Sequence, residues 1–378
     1  MRNLAGSVYI LLIVNALLFG ALGQNAVAQT LDVDTRSVIE SLGLRESGTA
    51  ANQLEGWEPP GKVVARVFEP GQVEQLTRVA PGVEIVGVSS EAEALEAMPG
   101  ADVLLGFCSE ELLGASDTLH WIQVYSAGVE RCTSLDIVQN GDYLLTNGQH
   151  ASSPALADSS IALMMALVRG LDIYFRNQLE EQWVRDVGDP AGTFVELEGR
   201  TMLIVGLGGI GTEVAKRAHG LGMRVIATRG SSREGPDYVD YVGLADEVGD
   251  LAPQADVIVN AAPLTDQTRG MFNQAFFELM KPTAFFISVG RGASTVTDDL
   301  VAALESGQIA GAGLDVTDPE PLPAGHPLWT APRVIITPHT AGRGDRGRDR
   351  LFLIVQENLR RYVAGEPLLS VVDIDRGY

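Results

Sequence analysis

The chain reads as an α/β protein with two doubly wound parallel-sheet domains, and three observations carry that reading. Short apolar runs alternate with helical patterns from about Val63 onward. A glycine-rich turn joins one such run to a helix near the middle of the chain. At 378 residues the polypeptide is long enough for two domains, each with its own core.

The first 28 residues are set apart from that fold. Arg2 supplies a minimal positive region, Val8 to Phe19 is apolar apart from Asn15, and Ala26-Val27-Ala28 is a small-x-small cleavage site. Residues 1–28 therefore read as a signal peptide for the general secretory route, giving an exported or periplasmic chain that starts near Gln29. An uncleaved membrane anchor is the alternative, although the apolar run falls short of the roughly 20 residues that span a bilayer. Residues 29–60 are polar, lack a strong period and end in Pro59-Pro60-Gly61, so they read as an extension.

The first lobe follows. Val63 to Phe68, Glu84 to Val88, Val103 to Gly106, Trp121 to Val124 and Tyr143 to Leu145 are strand-like, with helical patterns near Val73 to Val79 and Ala92 to Met98. The loop Tyr125-Ser126-Ala127-Gly128-Val129 lies at a strand's carboxyl end, where open α/β sheets bind ligands. Cys108 and Cys132 are the only cysteines, so no disulfide framework holds the chain. One bridge and two buried thiols are both open.

Pro154 to Val168 predicts a long apolar helix that crosses into a second domain. There Thr201 to Val205 reads as a buried strand, Gly206-Leu207-Gly208-Gly209-Ile210-Gly211 follows at once, and Thr212 to Leu221 reads as the helix behind it. This is half of a dinucleotide-binding (Rossmann) fold: Gly206 allows the tight turn, Gly208 lets backbone approach a pyrophosphate, and Gly211 lets helix pack on strand. The next strand, Gly222 to Ala227, runs into Thr228-Arg229-Gly230-Ser231-Ser232-Arg233 with no acid between Glu213 and Glu234. An NAD site places an Asp or Glu about 20 residues on, to bind the ribose 2′-hydroxyl. Arg229, Arg233, Ser231 and Ser232 suit a 2′-phosphate instead, so NADP is favoured and NAD is second choice.

The strands Val257 to Asn260, Ala284 to Val289, Gly313 to Val316 and Val334 to Ile336 complete the second sheet, and Arg350 to Tyr362 is a last helix. Arg291, Glu320 and His339 follow three of these strands, so they converge on one crevice. An arginine grips a carboxylate in bidentate fashion, and a histidine beside a carboxylate moves a proton near neutral pH. The three together suit reduction of a 2-keto acid. The formal charge of −22 argues against nucleic acid or an anionic membrane as partner. His120, His150, His219 and His326 have no metal-ligand spacing, and no metal is expected. Arg343, Arg346 and Arg348 follow His339 closely and read as solvated helix charges, with one of them reaching the substrate as the alternative.

The glycine turn, Ala262-Pro263-Leu264-Thr265, Val289-Gly290-Arg291-Gly292, Gly313-Leu314-Asp315-Val316 with Glu320-Pro321, and Thr337-Pro338-His339 resemble, in order, the signatures of the D-isomer-specific 2-hydroxyacid dehydrogenases. The resemblance covers nearly everything from Val63 to Tyr378. It implies a Rossmann domain at 149–339 inserted into a flavodoxin-like substrate domain at 29–148 and 340–378, and a homodimer. It implies Arg291 as substrate binder, His339 as acid and base, and Glu320 as its partner. Substrate carboxylate would meet the backbone of Ser126, Ala127, Gly128 and Val129. Gly206, Gly208, Gly209, Ile210, Gly211, Pro263 and Thr265 would line the cofactor, and Asp315 would face the nicotinamide carboxamide. The expected reaction is NADPH-dependent reduction of a small anionic 2-keto acid, glyoxylate- or hydroxypyruvate-like, to the D-2-hydroxy acid. Two features depart from the pattern: Ala157-Asp158-Ser159 replaces the usual Ala-Glu-His, and Arg229 replaces the aspartate of NAD-dependent members. Glu320 opposes formate oxidation, which uses glutamine there. A catalytically weak dinucleotide-sensing binding protein of the same fold is the alternative.

Overall fold

After a helix, Thr35–Leu42, and a strand, β1 (Glu46–Ala50), the apolar runs of the first lobe each become one strand of a five-stranded parallel sheet. The structure is a computed structural model that describes residues 35–187 and 194–374. Ahead of Leu42 only residues of that first helix are described, so the signal segment expected over Met1–Ala28 lies outside the described residues. No described helix is long and apolar enough to cross a membrane.

The sheet contains β2 (Lys62–Arg66), β3 (Glu84–Val88), β4 (Val103–Leu105), β5 (Trp121–Gln123) and β6 (Leu144–Thr146) in the order β3-β2-β4-β5-β6. Counted along the chain this is 2-1-3-4-5, the flavodoxin-like doubly wound order. Alternation of side chains splits its core into two faces. Val64, Leu104 and Ile122 pack with Ala94, Met98 and Leu112 on one side. Val63, Val103 and Trp121 pack on the other with Phe352, Val355, Leu359 and Tyr362, so the C-terminal helix Gly347–Ala364 covers the first lobe's sheet.

The second sheet holds β7 (Thr201–Val205), β8 (Arg224–Thr228), β9 (Tyr241–Gly243), β10 (Val257–Asn260), β11 (Phe285–Ser288), β12 (Gly311–Leu314) and β13 (Val334–Ile336), ordered β13-β12-β11-β10-β7-β8-β9. Its strand order reverses between β7 and β10, the crevice where a dinucleotide binds in such sheets. Met202, Ile204, Val259 and Ile287 point toward Leu163, Met164 and Leu167 of the helix Ser153–Val168.

Several expectations change. Residues 29–60 are more than an extension, because β1 pairs antiparallel with β14 (Pro367–Leu369) at the other end of the chain. The sequence ESGTA has no apolar alternation; pairing with a distant partner makes it a strand. The dinucleotide helix runs Gly209–Gly220, three residues earlier than propensity suggests, because the glycine turn itself supplies its first N–H groups. β12 begins at Gly311, two residues before the expected start, which leaves Asp315 just beyond its end. β9 and the helix Leu171–Leu179 were not legible.

Candidate active site

The dinucleotide turn is built as its glycines require. Gly206 has φ of 98° and its missing Cβ would come within 2.7 Å of the Ala262 backbone nitrogen, so no side chain fits. A Cβ at Gly208 would meet open space, the room a pyrophosphate needs beside the N–H groups of the following helix. Gly209 faces the His150 ring, whose Nδ1 lies 2.6 Å from the Leu42 carbonyl oxygen. Burial pushes the pKa of His150 down. Ile210 packs against the second lobe's core.

At the end of β8 the four proposed phosphate groups are not equivalent. Among the described residues Arg229 donates only to the Glu234 carbonyl oxygen, at 3.1 Å. Burial, then the positive charge of Arg45, pushes its pKa down, and both effects would be relieved by an anion. Arg233 instead bridges the Glu247 carboxylate at 2.5 Å and the Tyr241 hydroxyl at 3.0 Å. The Tyr241 hydroxyl, the Leu244 N–H and Arg233 hold the Glu247 carboxyl at about 2. Ser231 is exposed, and the Ser232 hydroxyl accepts weakly from the Glu234 N–H at 3.4 Å. Beyond β10, Thr268 Oγ1 ties together the Pro263 carbonyl at 2.7 Å and the Thr265 N–H at 2.8 Å, fixing the loop that lies over the switch point.

Three strand ends then meet. Ser288, Leu314 and Ile336 are in register across β11, β12 and β13, and Arg291 and His339 each follow by three residues. His339 Nδ1 lies 2.6 Å from Glu320 Oε1, both side chains being nearly half exposed. This contact fixes the ring and leaves Nε2 as the free nitrogen. His339 has φ of 53°, and its turn is held by Asp315. The Asp315 carboxylate is buried and accepts from Thr337 Oγ1 at 2.6 Å, the Thr340 N–H at 2.9 Å and the Ala341 N–H at 3.0 Å. Those bonds give Asp315 an anchoring role.

Arg291 reaches across to the first lobe. Its Nε donates to Glu130 Oε1 at 3.1 Å, its Nη1 donates to the Gly290 carbonyl at 2.9 Å, and its Nη2 sits where a Gly128 Cβ would be. Only glycine admits that approach. The loop Ser126–Val129 is itself braced: Ser126 Oγ donates to the Gly128 carbonyl at 2.6 Å, and Asn147 Nδ2 donates to the Ala127 carbonyl at 2.8 Å. Val129 is buried, and Cys132, in the short helix Glu130–Thr133, is disulfide-bonded to Cys108. Of the two alternatives for the cysteines, the bridge is the one present.

Glu130 was missed by sequence reasoning, its only mark being an acid directly after the loop expected to bind carboxylate. Asn260 was missed too. It is buried at the end of β10, donates to Ser288 Oγ at 3.0 Å and Ser294 Oγ at 2.8 Å, and thereby braces the turn that carries Arg291. A polar residue ending an apolar strand was the available signal.

Comparison with known proteins agrees with this geometry. Residues 161–341 match the family model "D-isomer specific 2-hydroxyacid dehydrogenase, NAD binding domain". The chain is 30% identical over 71% of its length to glyoxylate/hydroxypyruvate reductase A of Photorhabdus laumondii, spanning 84% of that protein. It is 34% identical over 70% of its length to a glyoxylate reductase of Thermococcus litoralis, spanning 80% of it. Among solved structures, the NADPH-dependent glyoxylate/hydroxypyruvate reductase of Sinorhizobium meliloti, crystallised with NADP and sulfate, superposes with a TM-score of 0.71 at 28% identity. That match covers 84% of this chain and all of the other. Fold, strand-end geometry and these relatives lead to one conclusion: the chain belongs to the D-isomer specific 2-hydroxyacid dehydrogenase family.

Proposed function

We propose that the protein is an NADPH-dependent reductase of small 2-keto acids, yielding the D-2-hydroxy acid, with NADH as second-choice cofactor. The observation that carries this reading is the His339–Glu320 contact of 2.6 Å on the same sheet edge as an arginine lying against Gly128. The residues fit the cofactor: Gly208 leaves open space at a helix N-terminus, Gly206 and Gly211 let strand, turn and helix pack closely around it, and Arg229 has no carboxylate ion pair among the described residues where a 2′-phosphate belongs. Bound NADPH supplies the hydride.

The chain's own residues do the rest. Arg291 and the Ser126–Val129 backbone hold the substrate carboxylate, which fixes the keto carbon and positions its oxygen. Protonated His339 donates from Nε2 to that oxygen as negative charge develops, while Glu320 on Nδ1 holds the ring in place. The reverse reaction needs His339 neutral so that Nε2 can accept the alcohol's proton. The test is a panel of 2-keto acids with NADPH, followed at the nicotinamide absorbance in the parent and in His339→Ala. We expect His339→Ala to lose nearly all turnover while its NADPH affinity stays that of the parent. Near-normal turnover would remove the catalytic assignment and favour the dinucleotide-sensing alternative.

Three further assignments belong with this reading. The substrate domain is taken as 29–148 with 340–378, around the inserted 149–339. Export is supported by the Ala26-Val27-Ala28 pattern and by the Cys108–Cys132 bridge, which suits an oxidising compartment. A homodimer is supported by the helix Leu171–Leu179, whose Leu171, Phe175 and Leu179, with Trp183 beyond it at 89% exposure, present apolar surface to solvent. A second copy is the occupant assigned here, since a two-fold contact lets each copy's patch cover its counterpart.

A further inference from the structure

Two arginines in the first lobe's crevice remain unused by this mechanism. Arg66 ends β2, and its guanidinium carbon lies 5.2 Å from the centroids of both the Phe68 and Phe107 rings. Arg348, in the first turn of the C-terminal helix, places its guanidinium carbon 5.4 Å from the same Phe68 ring. Phe107 and Tyr125 follow β4 and β5 by two residues each, so the cluster lies along the carboxyl edge of the sheet, where ligands bind. It also adjoins the substrate loop. The Tyr125 hydroxyl donates to the Arg66 carbonyl at 2.9 Å, and the next residue, Ser126, opens the loop that Arg291 reaches.

Neither arginine has a carboxylate within ion-pair distance among the described residues, whereas Arg291, which reaches the same crevice from the other lobe, is paired with Glu130. Two cations drawn to one ring repel each other, and an anion placed between them relieves that repulsion. In a chain of net charge −22, leaving two arginines unneutralised beside the reacting site runs against the background. Of the three arginines that follow His339 in the sequence, Arg348 is the one that reaches this crevice.

We propose that Arg66 and Arg348, with Phe68 between them, form a second anion subsite, which receives a negatively charged group at the far end of the 2-keto acid. It rests on the keto-acid reading above and narrows it. The preferred substrates then carry two anionic groups: the carboxylate next to the keto carbon, held by Arg291, and a distal carboxylate or phosphate, held by this pair. Glyoxylate is too short to reach the second subsite.

The test uses substrates matched in carbon chain and differing in the distal group: 2-oxoglutarate against 2-oxopentanoate for a carboxylate, and 3-phosphohydroxypyruvate against hydroxypyruvate for a phosphate. The parent should favour the dianionic member of at least one pair in kcat/KM, and the pair that responds identifies the group. Arg66→Gln and Arg348→Gln should each reduce that preference by roughly tenfold or more, the loss of one charge-assisted hydrogen bond. Glyoxylate turnover should stay as in the parent, and Arg348→Lys should keep part of the preference. A parent that favours the monoanionic members would overturn the subsite, as would Gln variants that lose glyoxylate and dianionic turnover alike. Calorimetric binding of the dianionic probes to NADP-loaded protein is measured beside turnover. Binding that depends on both arginines without any turnover would therefore uphold the subsite and count against the reductase reading instead.

Discussion

Arg229 is the residue on which the proposed preference for NADPH turns. It has one backbone acceptor and no carboxylate partner among the described residues, whereas Arg233 is already committed to Glu247 and Tyr241. Replacing Arg229 with Asp removes a charge-assisted phosphate contact worth about 1.5 to 3 kcal/mol, roughly 10- to 150-fold in NADPH affinity, and adds a carboxylate suited to the 2′-hydroxyl of NADH. Fluorescence titration of the two cofactors should show NADPH affinity falling and NADH affinity holding or rising. Equal losses for both would mean that Arg229 supports the loop and does not read the phosphate. At this scale the sequence was informative where chemistry recurs at a strand end, as for Arg291, Glu320 and His339. It was silent on Glu130, because a carboxylate that meets its arginine across 161 positions leaves no spacing to detect.

Among the elements, the short helix Glu130–Thr133 has a position out of proportion to its length. It follows the carboxylate loop, carries the partner of Arg291, and is tied through Cys132 to Cys108, 24 residues earlier. Cross-linking a loop of that length contributes about 2 to 4 kcal/mol by restricting the unfolded chain. Cys132→Ala should therefore lower the melting temperature, and the keto-acid KM should rise more than the NADPH KM because the loop loses its tether. An unaltered melting curve for the parent with and without reductant would show that the bridge does not hold this loop. The central strands were legible because parallel sheets covered on both faces demand unbroken apolar runs. β1, β9 and β14 are short edge or tail strands, and β1 in particular is set by its partner at the other end of the chain, so local pattern could not disclose them.

For the whole molecule, the assembly prediction follows from the apolar face of Leu171–Leu179. Light scattering should give twice the mass of one chain, which is 40.2 kDa before removal of the proposed signal segment, and Phe175→Asp should return it to one chain by placing two like charges in the two-fold contact. A parent that runs as a single chain would refute the pairing. Fold class was readable at this scale because strand–helix alternation is a global pattern. The return of the last helix to the first lobe was carried by family likeness, since nothing local in that helix says which sheet it covers.

That return also governs how the two lobes can move. The chain passes between them twice, near Asn147 to Ser152 and near His339 to Arg350, and the two passages lie side by side: Arg350 Nε donates to the Ala151 carbonyl at 2.7 Å, and a Gly342 Cβ would touch Ser152. A lobe hung from one thread can swivel freely, but one hung from two adjacent threads rocks about the line joining them. Gly148 lies in the first passage, and its N–H donates to the Ser126 carbonyl at 3.0 Å. Opening and shutting the crevice is thus confined to a rocking motion, and the loop proposed to cradle the substrate is bonded to one of its two pivots.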